Sequence, residues 1–315
     1  MFDPQEFMDE KIPELKKAIT GKAIIACSGG VDSTVAAVLM SEAIGAHLLA
    51  VYVDTGLMRK GETDSVREML HRLEVNFRIV DASGEFFSAL REAVDPETKR
   101  KIIGEKFIRV FEREAKEFKA EYLVQGTIAP DWIESGDDFR DTIKSHHNVG
   151  GLPSDIELKL IEPLRDLYKD EVRKLARHMG IEVSERQPFP GPALAIRIIG
   201  PVTPENAEII RNACAIVEEE LEKAAQEGRM ELPWQYFAVL LPVQSVGVHG
   251  DRRAYGKTIA IRAVQSIDGM SAAYSKVPHD VLEIISIRIT NEMKEKVNRV
   301  VYDITNKPPA TIEWE

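Results

Sequence analysis

Short apolar runs alternate with helical patterns between about residues 22 and 180 of the chain. Several of these runs are nearly continuous in apolar residues, as expected for strands that are covered on both faces. We predict strands at Ala23–Cys27, His47–Asp54, Asn76–Ala82, Tyr122–Gly126 and Leu158–Leu164. Because helical patterns separate them, this part of the chain is predicted to form a parallel α/β sheet.

A long helix is predicted to begin at Asp95-Pro96. This pair suits the N-cap and first position of a helix. An apolar stripe at helical spacing then follows, made of Ile103, Phe107, Val110, Phe111, Ala115 and Phe118. Such a stripe is typical of a helix face that packs into a core.

The pattern changes after residues 184–192, where three prolines and a glycine predict a domain boundary. Beyond it we predict helices at Pro204–Ala225 and His279–Val297, with strands at Phe237–Val243, Thr258–Val264, Val300–Ile304 and near the C-terminal end. The chain is therefore predicted to contain a parallel α/β domain over residues 1–187 and a small α+β domain over residues 188–315.

Composition and charge argue against a nucleic-acid-binding protein, a membrane protein and a protein stabilised by disulfides or zinc. The 315 residues include 41 Lys and Arg against 52 Asp and Glu, a formal charge of -11 that disfavours extended contact with nucleic acid. No apolar run approaches the roughly 20 residues that span a bilayer, and the first residues lack a signal-peptide pattern. We expect a cytoplasmic protein that binds no membrane. The two cysteines, Cys27 and Cys214, have no metal-ligand spacing, so neither a disulfide framework nor a zinc site is expected.

The strongest local signal lies between the first predicted strand and a helical run at Val31–Ile44. Glycines in such a turn let the backbone approach a ligand, and a helix N-terminus attracts phosphate oxygens. The loop lacks the GK[ST] of a Walker A motif and is not GxGxxG. It predicts a phosphate-type anion site, with a glycine-rich turn carrying a polar N-cap as the alternative.

The loop residues Ser28-Gly29-Gly30-Val31-Asp32-Ser33 resemble the PP-loop of the ATP pyrophosphatase superfamily, which cleaves ATP between its α and β phosphates. The resemblance implies an adenine nucleotide alpha hydrolase-like fold. It also implies an ATP site of Ser28, Gly29, Gly30, Val31, Asp32, Ser33, Thr34, Val53 and Gly126. Asp32 and Asp54 would bind Mg²⁺, although an Asp that ends a strand is also a common turn-former.

Longer stretches resemble the two-subunit GMP synthetase family. They are Asp95–Gly104, Gln125–Ser135, Ile143–Pro153, Pro188–Pro192, Arg299–Ile304 and Lys307–Glu315. The resemblance implies that ATP adenylates the C2 oxygen of xanthosine monophosphate (XMP) with release of pyrophosphate. Ammonia would then displace AMP to give GMP.

Residues 130–154 form a long polar stretch between two predicted strands, which favours an active-site lid. By resemblance, Asp131 and Glu134 would contact the nucleotide or its metal, and Lys144, His146 and His147 would face phosphates or purine. Together with Asp32 and Ser33, the residues Asp131, Glu134 and Lys144 make up the implied catalytic set. A solvated loop is the alternative for the two histidines.

The implied XMP site draws on distant parts of the chain. Lys307 would take the phosphate and Glu313 the purine or ribose, although a segment with two prolines is ordinarily an extended edge or a disordered tail. Arg59 and Gln235 correspond to two further substrate contacts of the family. For both, a solvated surface position is the alternative.

Neither cysteine lies in a nucleophile-elbow context, so ammonia is expected from a separate glutamine amidotransferase subunit. We also expect a homodimer through the C-terminal domain, with the strand Lys257–Val264 offering a sheet face. The alternatives are another PP-loop enzyme such as NAD synthetase, or a non-catalytic adenine-nucleotide-binding module. A protein whose C-terminal domain serves mainly for interaction is a third.

Overall fold

The computed structural model describes residues 2–129, 158–182, 187–249, 251–267 and 269–315. Their helices and strands are, in chain order, α1 Pro4–Ala18, β1 Ala23–Ala26, α2 Val31–Ile44, β2 Leu48–Asp54, α3 Glu62–Arg72, β3 Phe77–Asp81, α4 Ser83–Leu90, α5 Pro96–Phe118, β4 Tyr122–Val124, β5 Lys159–Ile161, α6 Lys169–His178, α7 Pro204–Gln226, β6 Gln235–His249, β7 Arg252–Gln265, β8 Ala273–Tyr274, α8 His279–Glu292 and β9 Val297–Asp303. Short 3-10 helices occur at Gly45–His47 and Ala193–Arg197. None of these helices is long and apolar enough to cross a membrane.

The chain divides into two compact units that interleave in sequence. The first takes in Met1–Asp54, Thr63–Asp81 and Phe107–Glu185, and the second takes in Thr55–Glu62, Ala82–Lys106 and Arg186–Glu315. The predicted division into residues 1–187 and 188–315 stays a prediction. Each unit is described by itself.

The first unit is built on a five-stranded sheet with the order β3-β2-β1-β4-β5. All four strand pairs are parallel, which confirms the predicted fold class. The first six residues of β2 are buried in succession, as expected of a strand covered on both faces. The α2 helix is apolar around most of its circumference and is correspondingly buried. The predicted strands are all present, although β4 and β5 are shorter than predicted.

The predicted start and apolar face of α5 are also confirmed. Asp95 Oδ2 accepts a hydrogen bond from the Thr98 backbone N–H at 2.8 Å, as an N-cap does. Within the stripe, Ile103, Val110, Phe111 and Ala115 are buried.

The second unit carries an antiparallel sheet in which β7 is central. It pairs antiparallel with β6 and β8 and parallel with β9. The α7 helix packs on β6, and α8 packs on α7 and β9. This confirms the predicted small α+β architecture.

Four predictions for the second unit are wrong in detail. The helix predicted over His279–Val297 ends at Glu292, and Val297 instead begins β9. The β6–β7 pairing continues past a bulge between Leu241 and Gln244, where the apolar alternation is limited to the exposed Val246 and Val248 and most other positions are polar, charged or glycine. The strand predicted near the C-terminal end is absent from the described 304–315 segment, where one bridge joins Lys307 to Ala272. Two prolines there lack the N–H that a ladder needs. Residues 258–264 of β7 are buried within this chain, so they do not offer a free sheet face.

Candidate active site

The predicted phosphate loop lies at the start of α2, directly after β1. Gly30 is the N-cap of α2 and has no side chain to satisfy the first N–H groups of the helix. Gly29 has a φ of 81°, and a Cβ at this position would come within 2.7 Å of Val66 Cγ2. Only glycine therefore fits this turn without strain, and the helix start stays open to an anion.

Hydroxyl groups organise the inner side of the loop. Ser33 Oγ donates to Gly30 O at 3.1 Å and lies 3.3 Å from Ser28 Oγ. Thr34 Oγ1 donates to the same carbonyl at 2.8 Å and is buried. The side chains of Ser28 and Ser33 thus meet at the helix start, whereas Thr34 stabilises the turn from inside.

The loop lies where the strand order of the sheet reverses. The chain moves outward from β1 to β2 and β3, then returns to the other side of β1 with β4. In open α/β sheets, ligands bind at the carboxyl ends of the strands at such a point. Gly126 follows β4 here, and a Cβ on it would lie 3.1 Å from both Asp32 C and Ser33 N. The structure therefore brings Gly126 against the phosphate loop.

Asp32 has a charged partner that the sequence did not reveal. Lys169 Nζ, at the first residue of α6, donates to Asp32 Oδ2 at 2.5 Å. The other oxygen, Asp32 Oδ1, is buried and accepts no hydrogen bond from the described residues. The site thus combines an ammonium group with a carboxylate oxygen that has unused capacity. No local pattern around Lys169 signals this role, since its partner is 137 positions away.

Asp54 and Val53 close the second strand of the sheet. Asp54 Oδ2 accepts a hydrogen bond from Thr63 Oγ1 at 2.7 Å, and Val53 is buried. Both residues belong to the first unit, as the phosphate loop does. The contacts of Asp54 fit a turn-former as well as a metal ligand, so its metal role stays a prediction. Five further predicted residues, Asp131, Glu134, Lys144, His146 and His147, lie outside the described residues.

A second cluster in the other unit contains Arg59. Its guanidinium donates to Gln187 O at 3.1 Å and lies 3.7 Å from the Glu218 carboxylate. The same group stands over the Phe189 ring, 4.2 Å from its centroid. Burial raises the pKa of the Glu218 carboxyl group, and the nearby guanidinium groups act against this rise. Arg59 is held in place by these contacts, so its interpretation as a solvated surface charge is wrong.

Gln235 and Glu313 meet directly, although they were predicted from separate parts of the chain. Gln235 Nε2 donates to Glu313 Oε1 at 2.9 Å. The fully buried Arg197 donates to both oxygens of the same carboxylate, at 2.8 and 3.2 Å. Burial opposes the charged form of Arg197, but the Glu313 carboxylate keeps its pKa above the ordinary value. Gln235 is also buried, which excludes the solvated alternative.

The 304–315 segment is ordered by side chains of the second unit. Lys307 Nζ donates to Gly269 O at 2.7 Å. Arg262 donates to the backbone oxygens of Thr305, Thr311 and Ile312. These contacts contradict the disordered-tail alternative. They place Lys307 at one end of the segment and Glu313 near the other.

Both cysteine thiols are buried. Burial raises the pKa of Cys27 and of Cys214 above the ordinary thiol value. Since the thiolate is the reactive form, neither is suited to act as a nucleophile. No group of three or more His, Cys, Asp or Glu side chains within the described ranges is arranged to hold a metal ion.

Comparisons with known proteins match the whole chain. The model for the GMP synthase C terminal domain matches residues 219–314, and the model for thiamine biosynthesis protein (ThiI) matches residues 18–211. A GMP synthase (glutamine-hydrolyzing) subunit of Methanopyrus kandleri is 61% identical over 319 residues, covering 100% of both chains. This chain belongs to that family of GMP synthase subunits. The corresponding subunit of Thermoplasma acidophilum is 57% identical, with 98% of each chain covered.

A longer member of the family has a different organisation. The GMP synthase (glutamine-hydrolyzing) of Clostridium tetani is 54% identical over 314 residues, which cover 98% of this chain and 61% of that protein. The family of separate subunits thus corresponds to one part of the longer enzyme. This agrees with the resemblance drawn from the sequence motifs.

Proposed function

We propose that this chain makes GMP from XMP, using ATP to adenylate the C2 oxygen of XMP and ammonia to displace AMP. The observation that carries the proposal is the glycine loop at the start of α2, set beside Gly126 at the point where the strand order reverses. Such a position is where open α/β sheets bind nucleotides. Membership of the family of GMP synthase subunits supports XMP as the molecule that is adenylated.

In this proposal the first unit holds ATP. Backbone N–H groups at the start of α2 and the hydroxyl groups of Ser28 and Ser33 would bind the pyrophosphate portion. Lys169 would add a positive charge beside it. When the C2 oxygen attacks the α phosphate, these donors stabilise the negative charge that builds up on the departing pyrophosphate.

The residues present also fit Mg²⁺, which prefers oxygen ligands and usually shares them with phosphates. Asp32 Oδ1 is the candidate protein ligand because it is buried without a hydrogen-bond donor in the described part of the chain. Asp54 is the second candidate ligand, and phosphate oxygens of ATP would complete the coordination of the ion. Bound Mg²⁺ would supply charge neutralisation on the pyrophosphate.

The second unit would hold XMP. Glu313 would accept hydrogen bonds from the purine or ribose, and the Gln235 amide would bind the same part of XMP. Lys307 would bind the phosphate through its ammonium group, and Arg59 would make a further contact. The paired, fully buried Arg197 would hold the Glu313 carboxylate in its orientation. The lid residues Asp131, Glu134, Lys144, His146 and His147 remain part of the proposal on sequence grounds.

A separate glutamine amidotransferase subunit would supply ammonia. The two cysteines of the chain are buried with raised pKa values, which supports an external source of ammonia.

We further propose a homodimer through the C-terminal domain. Exposed apolar side chains on the β6–β7 hairpin, at Val246, Val248 and Tyr255, support this better than the buried 258–264 segment. Light scattering on wild type and Val248→Asp tests it, and a monomeric wild type would contradict it.

The function is tested by incubating the chain with ATP, Mg²⁺, ammonium and XMP, and measuring AMP, pyrophosphate and GMP. We expect all three products in equal amounts, and none without XMP. Glutamine should replace ammonium only when a glutaminase subunit is added. Release of pyrophosphate with a nicotinate nucleotide instead of XMP would favour an NAD synthetase. ATP binding without pyrophosphate release would favour a non-catalytic module.

A further inference from the structure

Among the described residues of the second unit, three cations are fully buried: Lys99, Arg197 and Arg262. Each of them pairs with residues 303–315. Lys99 binds Glu315, Arg197 binds Glu313, and Arg262 binds Asp303 and backbone oxygens of the 304–315 segment. A buried charge is costly unless it is paired, so this segment is the counterpart that makes all three burials possible.

Lys99 has no exposed surface through which it could reach a substrate. Its Nζ donates to Glu315 Oε2 at 2.5 Å, to Ile198 O at 2.6 Å and to Ala195 O at 3.4 Å. The side chain of Glu315 is itself almost completely buried. The three acceptors occupy the donor capacity of the ammonium group, which has three N–H bonds. The pair therefore fixes the position of Glu315 rather than offering a binding group.

Glu315 is two residues beyond Glu313, and two residues of extended chain span only about 7 Å. On the other side of Glu313, Arg262 binds the carbonyl groups of Thr311 and Ile312 at 3.0 and 3.4 Å. Glu313 is thus held between two anchors. If the Lys99 anchor is released, the backbone at Glu313 gains freedom on one side, although its own pairing with Arg197 remains.

We propose that Lys99 and Glu315 form a latch that positions the Glu313 carboxylate for XMP. Both are positioning residues, since neither would touch the nucleotide. The inference rests on the proposed XMP site at Glu313. It assigns a role to Lys99, which lies in a helix more than two hundred positions earlier in the chain.

The latch is tested with Glu315→Gln and Lys99→Met. We expect each variant to raise KM for XMP about tenfold, because small displacements of a binding group cost affinity steeply. The kcat and the KM for ATP should stay within about twofold, since the phosphate loop belongs to the other unit. Glu315→Asp keeps the charge but shortens the reach, so it should give an intermediate KM. Glu14→Gln, which removes an exposed carboxylate from a surface pair in α1, is the matched control.

Two measurements separate failure of the latch from failure of the proposed function. Calorimetric XMP binding to wild type tests the site itself, and its absence would overturn the proposed function. Amide hydrogen exchange of residues 304–315 tests the latch directly, with faster exchange expected in both variants. Faster exchange with an unchanged KM for XMP would overturn the positioning role, and unchanged exchange would overturn the latch. If Lys99→Met does not fold, Glu315→Gln decides the question alone.

Discussion

Removing the carboxylate of Glu313 should destabilise the second unit strongly. Arg197 is fully buried and meets this carboxylate with two hydrogen bonds. It also contacts the Cys214 thiol and the rings of Phe189 and Phe237, and it interacts electrostatically with the Glu218 carboxylate. In Glu313→Leu the guanidinium would lose the counter-charge to which it is hydrogen-bonded inside the unit. Breaking a buried pair from one side costs about 3 to 5 kcal/mol, because the remaining charge is uncompensated.

The double variant Arg197→Met with Glu313→Leu should recover most of this loss, since it removes both charges and keeps apolar volume. We therefore expect a coupling energy of about 2 to 3 kcal/mol between the two positions. Urea denaturation followed by circular dichroism measures the free energy of unfolding of Glu313→Leu, Arg197→Met and the double variant. The thermal midpoint of Glu313→Leu should fall by roughly 6 to 20 °C, at about 2 to 4 °C for each kcal/mol.

The same cycle at the exposed pair of Lys11 and Glu14 is the control, and its coupling should stay below about 1 kcal/mol. If the losses in free energy of unfolding of the two single variants, at Arg197 and Glu313, simply add in the double variant, the two side chains do not interact as the structure implies. A loss below about 1 kcal/mol in Glu313→Leu would mean that water or another group solvates the guanidinium.

Three further predictions concern the first unit and the start of α5. Ser33→Ala should lower the rate of pyrophosphate release about 10²- to 10³-fold by removing one donor, and Asp32→Ala should lower it further; near wild-type turnover in both refutes the loop assignment. Gly126→Ala should raise the KM for ATP about tenfold, because the added Cβ contacts the backbone of the phosphate loop. Gly104→Ala is the control and should leave this KM unchanged, since open space surrounds Gly104. Equal changes in KM for the two variants would refute the role of Gly126. Asp95→Ala should lower the thermal midpoint at neutral pH by removing a cap. Hydrogen bonds from Thr98 lower the pKa of the Asp95 carboxyl group. The cap therefore stabilises the protein fully at pH values above the ordinary Asp pKa of about 3.9, and this stabilisation should vanish as the pH falls through the lowered pKa. A loss of thermal midpoint that does not depend on pH would contradict this reasoning.

Much of the fold follows from local pattern. The α2 bounds and the strands of the first unit were predictable because buried parallel strands read as continuous apolar runs and a glycine turn marks the helix start. The β6–β7 extension was not predicted, because its alternation is limited to the exposed Val246 and Val248, and polar, charged and glycine residues surround them. Periodicity reports burial, so it misses strands that are stabilised mainly by backbone pairing.

The sites were predictable only where chemistry is local. Ser28 to Thr34 form one contiguous motif, and the structure keeps them together. In contrast, Asp32 meets Lys169 across 137 positions, and Arg197 meets Glu313 across 116. No spacing rule connects such residues, since folding brings them together through the sheet and helix order. Arg197 and Lys99 look like ordinary surface cations in the sequence, and only their complete burial reveals them as partners of carboxylates.

The two carboxylates at the centre of the proposal are suited to different tasks. The Asp32–Lys169 pair is open to solvent, with Lys169 45% and Asp32 29% exposed, so breaking it costs at most about 1 kcal/mol. Under the proposed function, Asp32 would therefore exchange its ammonium partner at little cost for a cation that arrives with ATP. Glu313 is 16% exposed against a fully buried guanidinium, and releasing that partner costs several times more. It is thus suited to stay fixed and accept hydrogen bonds from an incoming purine or ribose. The free energy of each pair, rather than the identity of its residues, decides which carboxylate can change partners during turnover.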